Sequence, residues 1–344
     1  MLHILTRIFY SHNMTHETTH DMITIKRIGL FVIIASFFPA PFRAAAEPGG
    51  YSFSLSPLTG IVYGHSEEIV YKKANSNLYL SELLWDLKPL VYAGAAMDFE
   101  PEDLFSRHGF ISAASIKVGL PLKTGILEDR DWFNPEHDYL THYSRHDAYS
   151  RMAILADISA GFSFRLSNFI ALGLYGEFSY MRFSWSGKDG YLQYPVGTSE
   201  NYPPWNESLP KDYESSKGEV IRYAQNWFIL APGISIKGKL GSLFSVEGNF
   251  NYSPLIYCAN RDDHLLANRV FFDYPYLGHY FKGGGVLIFS PMNKMDLTLN
   301  VSYKYITGSR GDNFINNRKY ADIAGAGYSA LDMGITARFY IFGR

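Results

Sequence analysis

Asp296-Leu297-Thr298-Leu299-Asn300-Val301-Ser302-Tyr303-Lys304-Tyr305 alternates polar and apolar residues without interruption. Successive side chains of an extended strand point to opposite faces, so this stretch has one apolar wall and one polar wall. The same period recurs in 244–253, where Phe244, Val246, Phe250 and Tyr252 alternate with Ser245, Glu247, Asn249, Asn251 and Ser253. In 152–165 one face carries Met152, Ile154, Ala156, Ile158, Ala160, Phe162 and Phe164, the other Asp157, Ser159, Ser163 and Arg165. After residue 46 no segment shows long helical periodicity or reads as a membrane-spanning helix. Short turn candidates stand at 165–168, 239–242 and 290–294, and long polar connections at 125–146, 185–217, 259–270 and 307–324. Short turns at one end and long loops at the other mark a transmembrane antiparallel β-barrel. Closure removes the edge strands that would otherwise seek partners.

Strands are expected at 51–64, 66–96, 109–122, 146–165, 169–185, 217–238, 242–258, 270–290, 295–307 and 325–342, about ten in all. Several exceed the roughly 9–11 residues that cross a bilayer, so the all-β barrel should extend above the outer membrane. The 25 Phe and 26 Tyr are read as lipid-facing surface and interface girdles. A net charge of -2 argues against a nucleic-acid partner. The lone Cys258 excludes an intrachain disulfide and a cysteine-rich metal site, and is read as packing against the wall. Lys26-Arg27, the apolar run 28–40 and Ala44-Ala45-Ala46 read as an export signal. This separates an N-terminal extension and signal over 1–46 from one barrel domain over 47–344; residues 1–21 have no evident role.

Two charged clusters interrupt the alternation. Asp129 and Asp131, two apart, share a face in an extended segment and can converge on one water or carbonyl. A solvated loop or a ligand pair for a divalent ion is the plainer reading of such a motif. Asp262 and His264 repeat the spacing, and a carboxylate beside an imidazole orients the ring and stabilises its protonated form. No serine or thiol nucleophile accompanies them, so direct attack by water is the economical chemistry, with His264 as base. His137, Asp138, His142 and His146 resemble a metal cluster by count but lack a compact ligand spacing. Gly283-Gly284-Gly285 lacks the ending of a phosphate loop and reads as close strand packing.

Leu127-Glu128-Asp129-Arg130-Asp131-Trp132, Ser144-Arg145-His146 and Asp262-Asp263-His264 together resemble the omptin outer-membrane proteases, with likeness spread over roughly 50–342. It includes Ser81 to Trp85 and the region from Gly308 onward. The resemblance implies a monomeric endopeptidase acting on polypeptides at the cell surface, its site in a groove at the extracellular end. It assigns Asp129 and Asp131 to an aspartate pair and Asp262 and His264 to a dyad, with no metal or other catalytic cofactor.

Two departures bear on specificity and lipid. Omptins favour basic residues beside the scissile bond through acidic side chains in the pocket. Glu68 matches one such position, whereas the other, two before the dyad aspartate, is Asn260, which supplies no charge. Arg261 next to it is expected to oppose a basic substrate. Omptins also require lipopolysaccharide. Glu177 falls at a lipid-binding position on the outer wall, but Ser179 and Asn226 stand where arginines belong, with Arg182 or Arg222 as substitutes in a shifted register. The sequence thus implies dependence on lipopolysaccharide or another outer-leaflet lipid. The competing account is a non-enzymatic adhesin or receptor barrel whose acidic loops bind basic ligands; a small-molecule channel is a third.

Overall fold

The computed structural model describes residues 50–198 and 201–343; the expected export segment lies outside them. Twelve strands run in chain order: β1 (Tyr51–Tyr71), β2 (Tyr79–Pro101), β3 (Gly109–Gly119), β4 (Lys123–Asp131), β5 (His142–Arg165), β6 (Ile170–Gln193), β7 (Glu219–Lys239), β8 (Phe244–Ser253), β9 (Ile256–His264), β10 (Arg269–Met292), β11 (Met295–Ile315) and β12 (Arg318–Phe342). All pairings are antiparallel, and β1 pairs with both β2 and β12, which closes the sheet.

The ring nevertheless has ten positions, as the alternation implies. β3 and β4 occupy successive halves of one position between β2 and β5. β8 and β9 do the same between β7 and β10. Each interruption contains a proline, Pro121 in the first and Pro254 in the second. Proline donates no ladder hydrogen bond, so the strand breaks there and resumes.

The turn between β1 and β2 lies at 72–78, not near 65, and two of the expected long connections, 259–270 and 307–324, are largely strand. Only 132–141 and 194–218 remain long on that side. Above the bilayer both faces of a strand meet polar surroundings, so the apolar alternation fades although the hydrogen-bonded ladder continues.

The decisive stretch behaves as its pattern demands. Leu297, Leu299, Val301, Tyr303 and Tyr305 face outward and are exposed, whereas Asp296, Thr298 and Lys304 are buried inside. The barrel interior forms three storeys. At the level of this apolar belt, ion pairs cross the lumen between non-neighbouring strands: Lys304 to Asp157 at 3.3 Å, Lys282 to Glu177 at 2.7 Å, and Lys117 to Asp332. β11 and β5 are five positions apart in the ring, so the first pair spans its full width. Above lies an aromatic plug, with Trp85 stacked on Trp185 and Tyr223 at 5.6 Å and Phe183 joining Trp185 to Tyr328. Each such pair adds about 0.5–1.5 kcal/mol beyond its buried area.

The third storey is acidic. Around its outside runs a charged collar: Arg130 with Glu82 at 3.2 Å and with Glu128, Arg261 with Asp263 at 2.8 Å, and Arg222 with Glu219. Outward-facing charges at this height place the third storey in water, beyond the membrane-spanning belt.

Candidate active site

Asp129 and Asp131 take alternate positions on β4 and both point inward, 6% and 7% exposed. Ser144 on β5 is the register partner of Asp129 and donates to its Oδ2 at 3.5 Å. Ser144 also meets His146 Nε2 at 2.9 Å, and His146 Nδ1 is held by the Asp189 carbonyl at 2.5 Å. Ser81 on β2 is the register partner of Asp131.

Asp262 and His264 face inward from β9, with His264 Nε2 only 2.5 Å from Asp262 Oδ2. The Phe271 ring meets the imidazole edge to face at 5.2 Å, which fixes its plane. With Nε2 committed to Asp262, Nδ1 is the nitrogen left for a water. Both halves of the site therefore sit on the upper segments that follow the proline breaks. β4 and β9 are four positions apart around a ring of ten, close to opposite. The motifs read as loops are strand ends, a correction that gives them a rigid frame.

Charge interactions connect the two walls. Burial works against a charged imidazole, but Asp262 beside it and Asp129 and Asp131 facing it lift His264 to about 9. Burial pushes Asp129 up to about 6, with His264 opposing and Asp262 adding to the rise. Asp131 is also raised, by burial first and then by the charge of Asp129. A proton in this cluster is thus shared property, and its titration belongs to the group as a whole.

Glu68 on β1 and Asn260 on β9 both face the groove and are buried. Asn260 Oδ1 accepts from the buried Cys258 thiol at 2.8 Å. Arg261 points outward, paired with Asp263, and does not oppose a ligand in the groove. His137, Asp138, His142 and His146 have separate surroundings. Asp138 pairs with Lys72 at 2.9 Å, and His142 packs among Phe133, Tyr194 and Tyr202.

The lipid expectation needs correcting. Glu177 and Ser179 lie on the inward parity of β6, where Glu177 holds Lys282, so neither meets lipid. Arg182, Asn226 and Arg222 lie on the outward parity of β6 and β7. Arg182 and Tyr180 both donate to Asn226 Oδ1, at 3.0 and 3.2 Å. Arg222 is tied to Glu219.

Sequence reading missed Asp273 and Asn313, which stand inside the groove, and Tyr194, whose phenol is raised by burial first and then by the charges of Asp129 and Asp131. Asp273 was legible in part, as a lone charge on the inward parity of Phe271-Phe272-Asp273-Tyr274. Tyr194 belongs to a connection that no strand pattern positions.

A sequence profile of the Omptin family matches residues 50–339. The plasminogen activator of Yersinia pestis is 24% identical over 224 residues, covering 64% of this chain and 65% of that protein. The match thus spans a little under two thirds of that relative. The crystal structure of outer membrane protease OmpT from Escherichia coli superposes with a TM-score of 0.73 at 16% identity, covering 84% of this chain and 97% of that one. At that identity the likeness is one of fold, a barrel of outer-membrane type. The profile covers the described barrel almost end to end, and this chain belongs to the omptin family.

Proposed function

We propose that this chain is an outer-membrane endopeptidase that hydrolyses peptide bonds in the acidic groove, its open end facing outward from the cell. The observation that carries this reading is the 2.5 Å contact of His264 with Asp262 on one wall, facing an aspartate pair whose charges reach the same ring. A water beside His264 Nδ1 and an aspartate of the pair attacks the carbonyl carbon. Its proton passes to the imidazole, the C–N bond breaks, and the proton leaves on the amine. Asp262 holds the ring and stabilises the imidazolium. Every group comes from one closed barrel, so a monomer suffices.

Two further elements belong to this reading. Glu68 in the groove supports preference for a basic residue beside the scissile bond. The cationic Arg182 on the outward parity of β6 supports dependence on a phosphorylated outer-leaflet lipid such as lipopolysaccharide. Adding and withholding that lipid during refolding tests the second.

Unbiased peptide-library digestion, read by mass spectrometry, tests the function. Internal cleavage by the folded wild type, lost in His264→Ala, is expected; equal cleavage by both proteins overturns the mechanism. Binding of basic peptides without any turnover would instead mark an adhesin or receptor.

The pH profile apportions the roles. If His264 is the base and ionised Asp129 holds the water, kcat/KM rises through about 6 and levels off above about 9. The position of His264 favours testing one alternative, in which the aspartate pair is the base and the imidazolium stabilises charge. That arrangement loses activity above about 9.

A further inference from the structure

On the outer wall, at the height of the charged collar, two adjoining cavities open beside the β1–β2 turn. One, of about 190 Å³, has Glu67, Tyr71, Asn77, Tyr79 and Thr307 in its lining. The other, of about 200 Å³, is lined by Asn77, Leu78, Tyr79, Trp132 and Asp138. They share Asn77 and Tyr79, and so form one cleft. Side chains alternate across a strand, so Glu67 and Tyr71 face away from the groove into which Glu68 points. Tyr79 is the register partner of Tyr71, and Trp132 follows the outward Arg130 by two residues. The barrel wall therefore separates this cleft from the aspartates and the dyad.

Three rings form a ladder along the cleft. Tyr71 meets Tyr79 edge to face at 5.6 Å, and Tyr79 meets Trp132 in the same way at 5.9 Å. The charged groups beside the rings already have partners within the chain. His65 Nε2 lies 3.0 Å from Glu67 Oε1, and Lys72 Nζ lies 2.9 Å from Asp138 Oδ1. The Arg310 guanidinium stands 3.4 Å from the centre of the Tyr71 ring. A cationic ligand would have to displace these partners, and the two carboxylates repel an anion. Hydrogen-bonding capacity is what stays open. Glu67 and Asp138 each commit one oxygen and keep the other, and Asn77 commits its Oδ1 to Arg310 at 3.0 Å and keeps its amide N–H groups. Aromatic rings among open donors and acceptors match a neutral ring rich in hydroxyls. The negative face of an aromatic ring attracts the weakly positive C–H bonds on the apolar side of a sugar, while amide and carboxylate groups bond to its hydroxyls.

We propose that this cleft is a second, non-catalytic binding site that takes an uncharged disaccharide, one sugar ring in each cavity and Tyr79 between them. The two cavities together approach the lower end of the roughly 300–1,000 Å³ typical of small-ligand sites. A sugar held on the outer wall leaves the groove open, so the site would tether the barrel to a saccharide-bearing surface while a substrate occupies the interior. The site does not depend on the peptidase reading, because none of its groups reaches the interior.

The test uses full-length protein refolded in a detergent that has no sugar head group. Maltose, cellobiose, lactose and N,N′-diacetylchitobiose are the probes, with the acidic hyaluronan disaccharide as charge control and a short lysine peptide as the cationic one. Saturation-transfer NMR should show at least one neutral disaccharide bound with a Kd on the order of 1 mM or tighter, and neither control. Tyr79→Ala and Trp132→Ala should each weaken binding about fivefold or more. Tyr79→Phe keeps the ring and should stay within about twofold, which separates loss of the site from misfolding; His264→Ala should bind as wild type does. The bound sugar is then offered free and as the head group of a neutral glycolipid in vesicles. Equal retention of the two assigns the site to soluble or surface glycans, and preference for the vesicle assigns it to a lipid head group; either supports the proposal. No neutral disaccharide bound at about 10 mM overturns it. So does equal or tighter binding of either charged control, or binding that neither Tyr79→Ala nor Trp132→Ala weakens.

Discussion

Two storeys of the same barrel treat buried charge in opposite ways. In the membrane-level lumen every carboxylate just described has a cation: Asp157 has Lys304, Glu177 has Lys282, and Asp332 has Lys117. In the groove above, Glu68, Asp129, Asp131, Asp262 and Asp273 gather around one imidazole. The aromatic plug separates the two, so the lower lysines do not offset the upper acids. The first arrangement ties walls together; the second stores repulsion where a substrate and a water would arrive. Perturbed carboxyl groups concentrate where chemistry is done.

The sharpest way to break this contrast is to remove one key group from each storey. His264→Ala should lower kcat/KM by about 10³-fold or more while the unfolding midpoint in denaturant, compared at a pH above about 9 where the imidazole is neutral in both states, stays near that of wild type. Lys304→Met should do the reverse, costing about 1–3 kcal/mol of stability by removing the cation paired with Asp157 while Lys282 and Lys117 still offset part of its charge, with kcat/KM at 25 °C unchanged in the folded fraction. Adding Asp157→Leu should recover most of that loss, because the buried charge is then gone from both sides. Equal effects of His264→Ala and Lys304→Met on stability would erase the division of labour.

Asp129→Asn comes next, at about 10²-fold in kcat/KM. It should also lower the titration of His264 from about 9, because it removes one of the charges that lifts it. NMR of the imidazole would report the change; an unmoved titration would show that the two walls are not coupled.

The pH dependence of stability separates the storeys more gently. Asp129 and Asp273 hold protons up to about 6 and about 7 when folded, against an ordinary value near 3.8. Over that window the folded state binds more protons than the unfolded, so stability falls as pH rises. His264 acts in the same direction between 6.5 and about 9: its contribution is full below 6.5 and lost as pH passes about 9. Unfolding midpoints should therefore decline from pH 4 to 9, and Asp273→Asn should flatten the lower part of the slope. The smallest effect is expected from Ser144→Ala, which removes a hydrogen bond of 3.5 Å to Asp129 and should cost about tenfold or less in kcat/KM. A loss as large as that of Asp129→Asn would make Ser144 part of the chemistry.

The lower storey was the more legible in sequence. Its strands have lipid on one side and packed polar groups on the other, and that difference writes a period of two into 296–305. The upper storey has no such signature, which is why β4 and β9 read as loops and the β1–β2 turn was misplaced. The site motifs stood out because Asp-x-Asp and Asp-x-His put like parity on one face in any extended chain. Glu177 shows the limit of that logic: the same parity rule, with its phase set by tertiary packing, turns it inward to Lys282.

By itself, the sequence determined the barrel, its ten positions, the family, and the two pairs of side chains that each share one face of a strand. Those follow from local periodicity and short spacing, which a chain carries wherever it folds. Only the tertiary structure decided that β4 faces β9 and that Asp273 of β10 stands in register with Asn260, with no lysine or arginine paired to it among the described residues. Register between strands depends on pairings across the whole closed ring, and a residue's partners there are set by distance in space, which linear spacing does not encode.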